Sequence, residues 1–245
     1  NCAQVRGHHR RRGMAIGRTL GQRPSNHAIH RGHGRRTGQC RRLLVHGGVE
    51  HVHVDGYALT TGHQHAAYVD SAVIRQSGAA VSLSGPNSRF GWSRVDTTTN
   101  QNVPAVTLGN NARFQQSVIR RAAGVGMLID GTSGVRLLGG GRIEGSGGVG
   151  LAIPYEYLPN RYSTAVRVVG GRGYPVAMSV GALARMYGTP ALQDSLRGNA
   201  RDTLTLHGGM LQGPLTVGPR IPVRLLGTVY VDSAGTLTAQ AGARF

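Results

Sequence analysis

Two histidine pairs are the first residues in this chain whose spacing suggests chemistry. His51 and His53 stand two apart, and His63 and His65 repeat that spacing. Residues i and i+2 of a strand share a face, so each pair could offer two imidazoles to zinc or copper. No cysteine lies nearby, and only Glu50, Asp55 and Asp70 could complete a ligand set. Four histidines on a polar strand face are more often solvated than metal-bound, and no metal site or cofactor is assigned. His27, His30 and His33 have helical spacing in a region where nothing else supports a helix.

Carboxylates are the second possibility. Glycoside hydrolysis needs two carboxyl groups about 5–9.5 Å apart across the scissile bond. Lyase chemistry needs acidic calcium ligands and a base. From residue 79 onward the acids are Asp96, Asp130, Glu144, Glu156, Asp194, Asp202 and Asp232. In the strand register derived below, Asp130 neighbours Gly109 and Pro154, and Glu144 occupies the same turn position as Gln212. Neither gains an acidic partner, so both are read as exposed turn acids. A serine nucleophile fares no better, because no Gly-x-Ser-x-Gly elbow occurs. No histidine between residues 66 and 206 could serve as base to Ser133 or Ser146. The glycine runs at 139–141 and 145–148 lack the Lys-Ser/Thr of a phosphate loop. No catalytic residue is assigned, and the expectation is a non-enzyme. Binding is a different matter. Tyr155, Tyr157, Arg161 and Tyr162 sit close together, and tyrosine and arginine dominate interface hot spots.

The elements that would carry these residues are short strands. Val125, Met127 and Ile129 alternate with other residues, and the phrase returns as Val149, Leu151 and Ile153. Period-two alternation between glycines means strands, since the runs are too brief for helices. Related phrases begin at Ala79, Pro104, Val125, Val149 and Val176, at intervals of 25, 21, 24 and 27 residues. Such recurrence is the mark of a solenoid with insertions in its turns. This register predicts one inward ladder of Val81, Val106, Met127, Leu151 and Met178, and a second of Leu83, Leu108, Ile129, Ile153 and Val180. A second strand per coil is predicted at 113–115, 135–138 and 165–169. The coil holding Tyr155 to Tyr162 is the longest, which predicts a protruding loop. Residues 181–201 are read as a short helix or an excursion.

Composition agrees with a turn-rich β architecture: 39 glycines, 5% aromatics and 245 residues, enough for a sizeable core. All 28 basic residues are arginine, and 11 of them lie in residues 1–49 beside no acid. Residues 1–45, rich in arginine, glycine and histidine, lack apolar periodicity. They are read as a poorly ordered basic segment, or as sequence translated out of its native frame. Clustered arginine also suits nucleic acid or another anionic surface, but no aromatics are interleaved for base stacking, so nucleic acid is not favoured. Residues 46–245 are assigned to the solenoid, clearest from 66. Cys2 and Cys40 are the only cysteines, so disulfides do not staple the β region. No apolar run spans a membrane.

These phrases resemble the passenger region of bacterial autotransporters of the pertactin-like kind. The resemblance rests on Ala105-Val106-Thr107-Leu108-Gly109-Asn110-Asn111-Ala112-Arg113-Phe114, on Leu204 to Gly213, and on Thr236 to Phe245. It implies an all-β fold, a right-handed parallel β-helix, displayed at the bacterial cell surface, on the outer membrane or outside the cell. It further implies adhesion or host interaction, with host cell-surface or serum proteins as partners. It also implies a translocator β-barrel in the full-length protein; separately, no polar cap follows the last coil, and the native chain is expected to continue beyond Phe245. The alternatives are a β-helical polysaccharide lyase or glycoside hydrolase, and anionic-surface binding through residues 1–45. No Arg-Gly-Asp tripeptide occurs, so integrin-type adhesion is not implied.

Overall fold

The computed structural model describes residues 4–6, 42–49, 57–61, 66–83, 87–109, 111–130, 136–138, 140–154, 166–186 and 196–245. Every strand pairing among them is parallel, and together they form an all-β solenoid. At the N-terminal side, β1 (Gln4–Arg6) pairs with β2 (Arg42–Val49). β3 (Tyr57–Thr61) follows, then the long β4 (Ala66–Ser77), on which β2 lies. The first regular coil holds β5 (Ala79–Leu83), β6 (Arg89–Gly91) and β7 (Arg94–Thr98). The second holds β8 (Val106–Leu108), β9 (Arg113–Gln115) and β10 (Val118–Arg120). β11 (Met127–Ile129), β12 (Arg136–Leu138) and β13 (Gly141–Glu144) make the third. β14 (Leu151–Ile153) and β15 (Val166–Val169) belong to the fourth. In the fifth, β16 (Val176–Met178) leads into a helix, α1 (Val180–Met186). The last two coils are β17 (Leu204–Leu206), β18 (Gly209–Leu211) and β19 (Pro214–Val217), then β20 (Val223–Leu225), β21 (Val229–Val231) and β22 (Thr236–Ala239).

Like strands stack on like. The first ladder runs β3-β5-β8-β11-β14-β16-β17-β20. β4 starts two others, because Ser71 bends it with φ of 55°. Residues 68–70 of β4 pair with β6, which leads to β9 and β12; residues 73–77 pair with β7, which leads to β10, β13 and β15. Each regular coil therefore has three strands, not two. Residues 165–169, expected as a second strand, supply β15, which stacks on the third strand β13.

Burial follows the alternation. Val81, Val106, Met127 and Leu151 stack as expected, as do Leu83, Leu108, Ile129 and Ile153, and all are buried. The next rung corrects the expected register. Val176 lies on Leu151 and Met178 on Ile153, two residues from the anticipated alignment. A two-residue slip leaves every side chain on its original face, so alternation alone cannot reject it. The strand stops at Met178 because Ser179 caps the helix: its Oγ accepts a bond from the Ala182 N–H at 3.2 Å. Val180 is accordingly a buried helical residue, and α1 packs against β18 and β19.

The corner between second and third strands repeats as well. Trp92, Gln116 and Gly140 take φ of 45°, 44° and 83°. Ser93 and Ser117 follow the first two and turn inward, fully buried. Ser117 Oγ accepts from the Ser93 N–H, and Ser93 Oγ from the Ala72 N–H, both at 3.1 Å. Each hydroxyl also reaches a carbonyl two residues back, at 2.8 Å to Gln115 and 2.7 Å to Gly91. The turning backbone thus keeps its hydrogen bonds inside a closed core. Nearby, Phe90 and Phe114 stack with ring centroids 5.9 Å apart and planes 6° from parallel.

Candidate functional site

The third ladder carries the densest ionic structure among the described residues. Its inward positions are Ile74, Val95, Ile119, Ile143 and Val168, all buried. The alternate positions therefore face outward. One outward column reads Val73, Arg94, Val118, Arg142, Arg167; the other reads Arg75, Asp96, Arg120, Glu144, Val169. Rungs of the form Val-Ile-Arg alternate with Arg-Val-Asp and Arg-Ile-Glu. Each carboxylate is thereby bracketed by guanidiniums.

Asp96 receives Arg94 Nη2 at 2.7 Å on its own rung, and Arg121 Nη2 from the next coil. Glu144 pairs with Arg120 Nε at 2.8 Å and with Arg142 Nε. The carboxylates are the sheltered members, at 10% and 21% side-chain exposure against 68% for Arg121. The hydrogen bond from Arg121 holds the Asp96 carboxyl below the usual range. It outweighs the raising effect of burial, and Arg94 adds to it. Arg94 Nε is buried with no hydrogen-bond partner among the described residues.

The exit from this ladder shapes the surface around these charges. Thr97, Arg121, Gly145 and Gly170 follow the last outward column in successive coils, with φ of 72°, 52°, 66° and 67°. Glycine adopts this left-handed conformation without the steric penalty that Cβ imposes. Arg121 accepts that penalty and gains the reach to Asp96. Gly145, beside it, presents no side chain. The result is an open depression of about 360 Å³ lined by Arg94, Arg120, Arg121, Glu144 and Gly145.

Arginine also meets aromatic rings at two other places on the solenoid. Tyr174 Oη accepts from Arg201 Nη1 at 3.0 Å and from Arg224 Nη1, and both guanidiniums lie over its ring, at 5.2 and 5.8 Å from the centroid. These bonds, that from Arg201 foremost, hold the exposed phenol below its ordinary pKa. Arg89 forks onto Asp70 through Nε, at 3.1 Å, and Nη2. It also stands over Tyr68 and Trp92, at 5.7 and 5.2 Å.

Two expectations about the acids change. Glu144 has an acidic neighbour in its own column: Asp96, two rungs away with Arg120 between. Two rungs make a backbone separation of about 9.6 Å, at the outer edge of the inverting-hydrolase range. A proton donor in such a pair needs a raised pKa, whereas Asp96 is shifted down and both acids are held by two arginines each. Glu144 and Gln212 are not equivalent either. Glu144 ends β13, the third strand of its coil, while Gln212 follows β18, the second strand. Asp130 stands beside Gly109 as expected, its N–H bonded to the Leu108 carbonyl at 2.7 Å.

Tyr155, Tyr157, Arg161 and Tyr162 lie outside the described residues, as do His51, His53, His63, His65 and Ser133. Among the described residues, no three His, Cys, Asp or Glu side chains gather as a metal site, and no helix is long and apolar enough to cross a membrane. Sequence reasoning weighed Asp96 only as one of the scattered acids and missed Arg94, Arg120, Arg121 and Arg142. Their signal was present in the recurrence of Val-Ile-Arg at 73–75 and 118–120, between Arg-Val-Asp at 94–96 and Arg-Ile-Glu at 142–144. No protein-family model matches the chain, and no curated protein or solved structure shows significant similarity to it.

Proposed function

We propose that this chain is a non-enzymatic binding scaffold, a surface-exposed or secreted solenoid of the autotransporter-passenger kind that acts in adhesion or host interaction. The observation that carries this reading is the state of the two carboxylates on the third face. Asp96 and Glu144 are each engaged by two guanidiniums, which suits a fixed charge pattern and not proton transfer. Stacked aliphatic ladders supply stiffness, and outward side chains and turns supply contact area. On this reading the protein works at the bacterial surface, its partners are host cell-surface or serum proteins, and a translocator barrel belongs to the full-length protein.

The placement of Asp96 and Glu144 in one column favours one rival, a β-helical carbohydrate-active enzyme. One experiment separates the two. The purified chain is tested for retention on cultured host cells and serum proteins. In parallel it is incubated with polygalacturonate and chondroitin sulfate, and new reducing ends or unsaturated uronate are measured. The scaffold reading expects retention without product. Product that disappears in Asp96→Asn or Glu144→Gln would establish the enzyme instead.

A further inference from the structure

The arginines of the third face outnumber the acids they hold. Arg94, Arg120, Arg121 and Arg142 share two carboxylates, and a guanidinium offers five N–H donors. Their side chains remain 39–68% exposed while the acids lie lower. Arg94 Nε has no acceptor at all among the described residues. Arg121 keeps a left-handed backbone where the next two coils use glycine. Arg94, Arg120, Arg121 and Glu144 line one open depression, and Arg142 stands beside Glu144, on the rung next to that of Arg120.

We propose that this face binds a linear polysaccharide bearing carboxylate or sulfate groups, laid along the solenoid axis across Arg94, Arg120, Arg121 and Arg142. The inference rests on the scaffold reading above and names the ligand class for it. Arginine forks match carboxylate and sulfate oxygens in two-pronged geometry. Rungs repeat every ~4.8 Å along the axis, close to the advance of one sugar ring in an extended chain. Successive sugars therefore meet successive rungs.

The acids decide between polyanions. Duplex DNA carries one charge per ~1.7 Å, and such a continuous charge would face Asp96 and Glu144 at close range. A polysaccharide brings hydroxyl donors between its anionic groups, so carboxylates on alternate rungs accept bonds while the arginines hold the anions. Single-stranded nucleic acid needs aromatic platforms, and the outward positions of β7, β10 and β13 carry none.

The test titrates the full chain with heparin and with polygalacturonate, with dextran as the uncharged control and a DNA duplex as the competing polyanion. Arg120→Gln/Arg142→Gln should weaken binding of heparin or polygalacturonate by about thirtyfold, as loss of two charge-assisted contacts implies. Arg10→Gln/Arg11→Gln, which removes the same charge from the basic N-terminal segment, should change it by less than about threefold. Equal losses in the two variants would reduce the effect to general charge attraction and overturn the proposal. If the first variant unfolds by circular dichroism, Arg94→Gln/Arg121→Gln makes the same test with the same expectation.

The sign of Glu144→Gln is the sharper readout. It raises the net charge yet should weaken polysaccharide binding about tenfold, because Glu144 orients two arginines and accepts from the ligand. Unchanged or tighter binding, or a stronger response with the duplex than with either polysaccharide, overturns the proposal. Cleavage of a bound polysaccharide would overturn the scaffold reading and leave the binding face standing. Retention on host cells with no polysaccharide binding would do the reverse.

Discussion

Asp96 shows how the third face converts charge into stability. Its hydrogen bond from Arg121 and the proximity of Arg94 favour the anion, against a smaller opposing effect of burial. The folded pKa therefore lies below the unfolded value of about 3.9, and the unfolded chain binds more protons through that interval. The contribution is complete above the unfolded pKa and is lost as pH falls through the folded one. We expect urea-unfolding midpoints to decline on acidification below about pH 4, and to decline less in Asp96→Asn, which has nothing to protonate. Wild-type and variant curves falling in parallel would show that Asp96 does not contribute. Salt should weaken the same contribution only in part, since the carboxylate is sheltered while its arginines are half exposed. Arg121 belongs to this account too. Its φ of 52° costs something that Gly145 avoids at the equivalent position, and the pair with Asp96 offsets that cost.

Between neighbouring strands, fit is decided by the smallest side chains. An ideal Cβ at Gly141 would lie 2.5 Å from Phe114 Cε1 and 3.1 Å from Val166 Cγ2. Phe114 is itself fixed by its stack on Phe90, so the ring has little room to yield. Gly141→Ala should cost about 1–3 kcal/mol by overpacking. In a Phe114→Leu background the added cost should shrink, and a double-mutant cycle of denaturant midpoints measures the coupling. A cycle that closes to zero would mean the clash is relieved elsewhere. The same elements show what the chain reveals unaided. Alternation between glycines exposes the strands, and the inward ladders through β14 follow from it directly. The rung at β16 does not, because Val176 and Val180 are both apolar and a slip of two preserves the pattern. Only the cap at Ser179 breaks the tie. The division into three strands was hidden for another reason: β6 and β7, like β9 and β10, are separated by two residues, one of them a buried serine. The charged column was the least visible. Asp96, Arg120 and Glu144 become neighbours only once the register is known, and each alone looks like an ordinary exposed residue.

Across the whole solenoid, position along the axis governs stability. Each rung touches only those above and below, so stability is close to a sum of rung and interface contributions. Ile129 lies between Leu108 and the Ile153 rung and is fully buried. In the last coil the corresponding shelter is missing: Tyr230 is 64% exposed, Val231 53% and Leu237 45%. Ile129→Ala should therefore cost about 2–5 kcal/mol, transfer and cavity together. Leu237→Ala should cost only about 1 kcal/mol, since nearly half of the residue stays in water and no closed cavity is left behind. Native-state hydrogen exchange should rank the amides the same way. Those of β8, β11 and β14 have a paired strand on either side and should exchange only through the largest openings, whereas those of β20 to β22 should exchange through local fraying. Uniform protection from β8 to β22 would require the solenoid to unfold as one cooperative block. In that case Leu237→Ala should also lower the protection of β11, a transmission that nearest-neighbour stacking forbids.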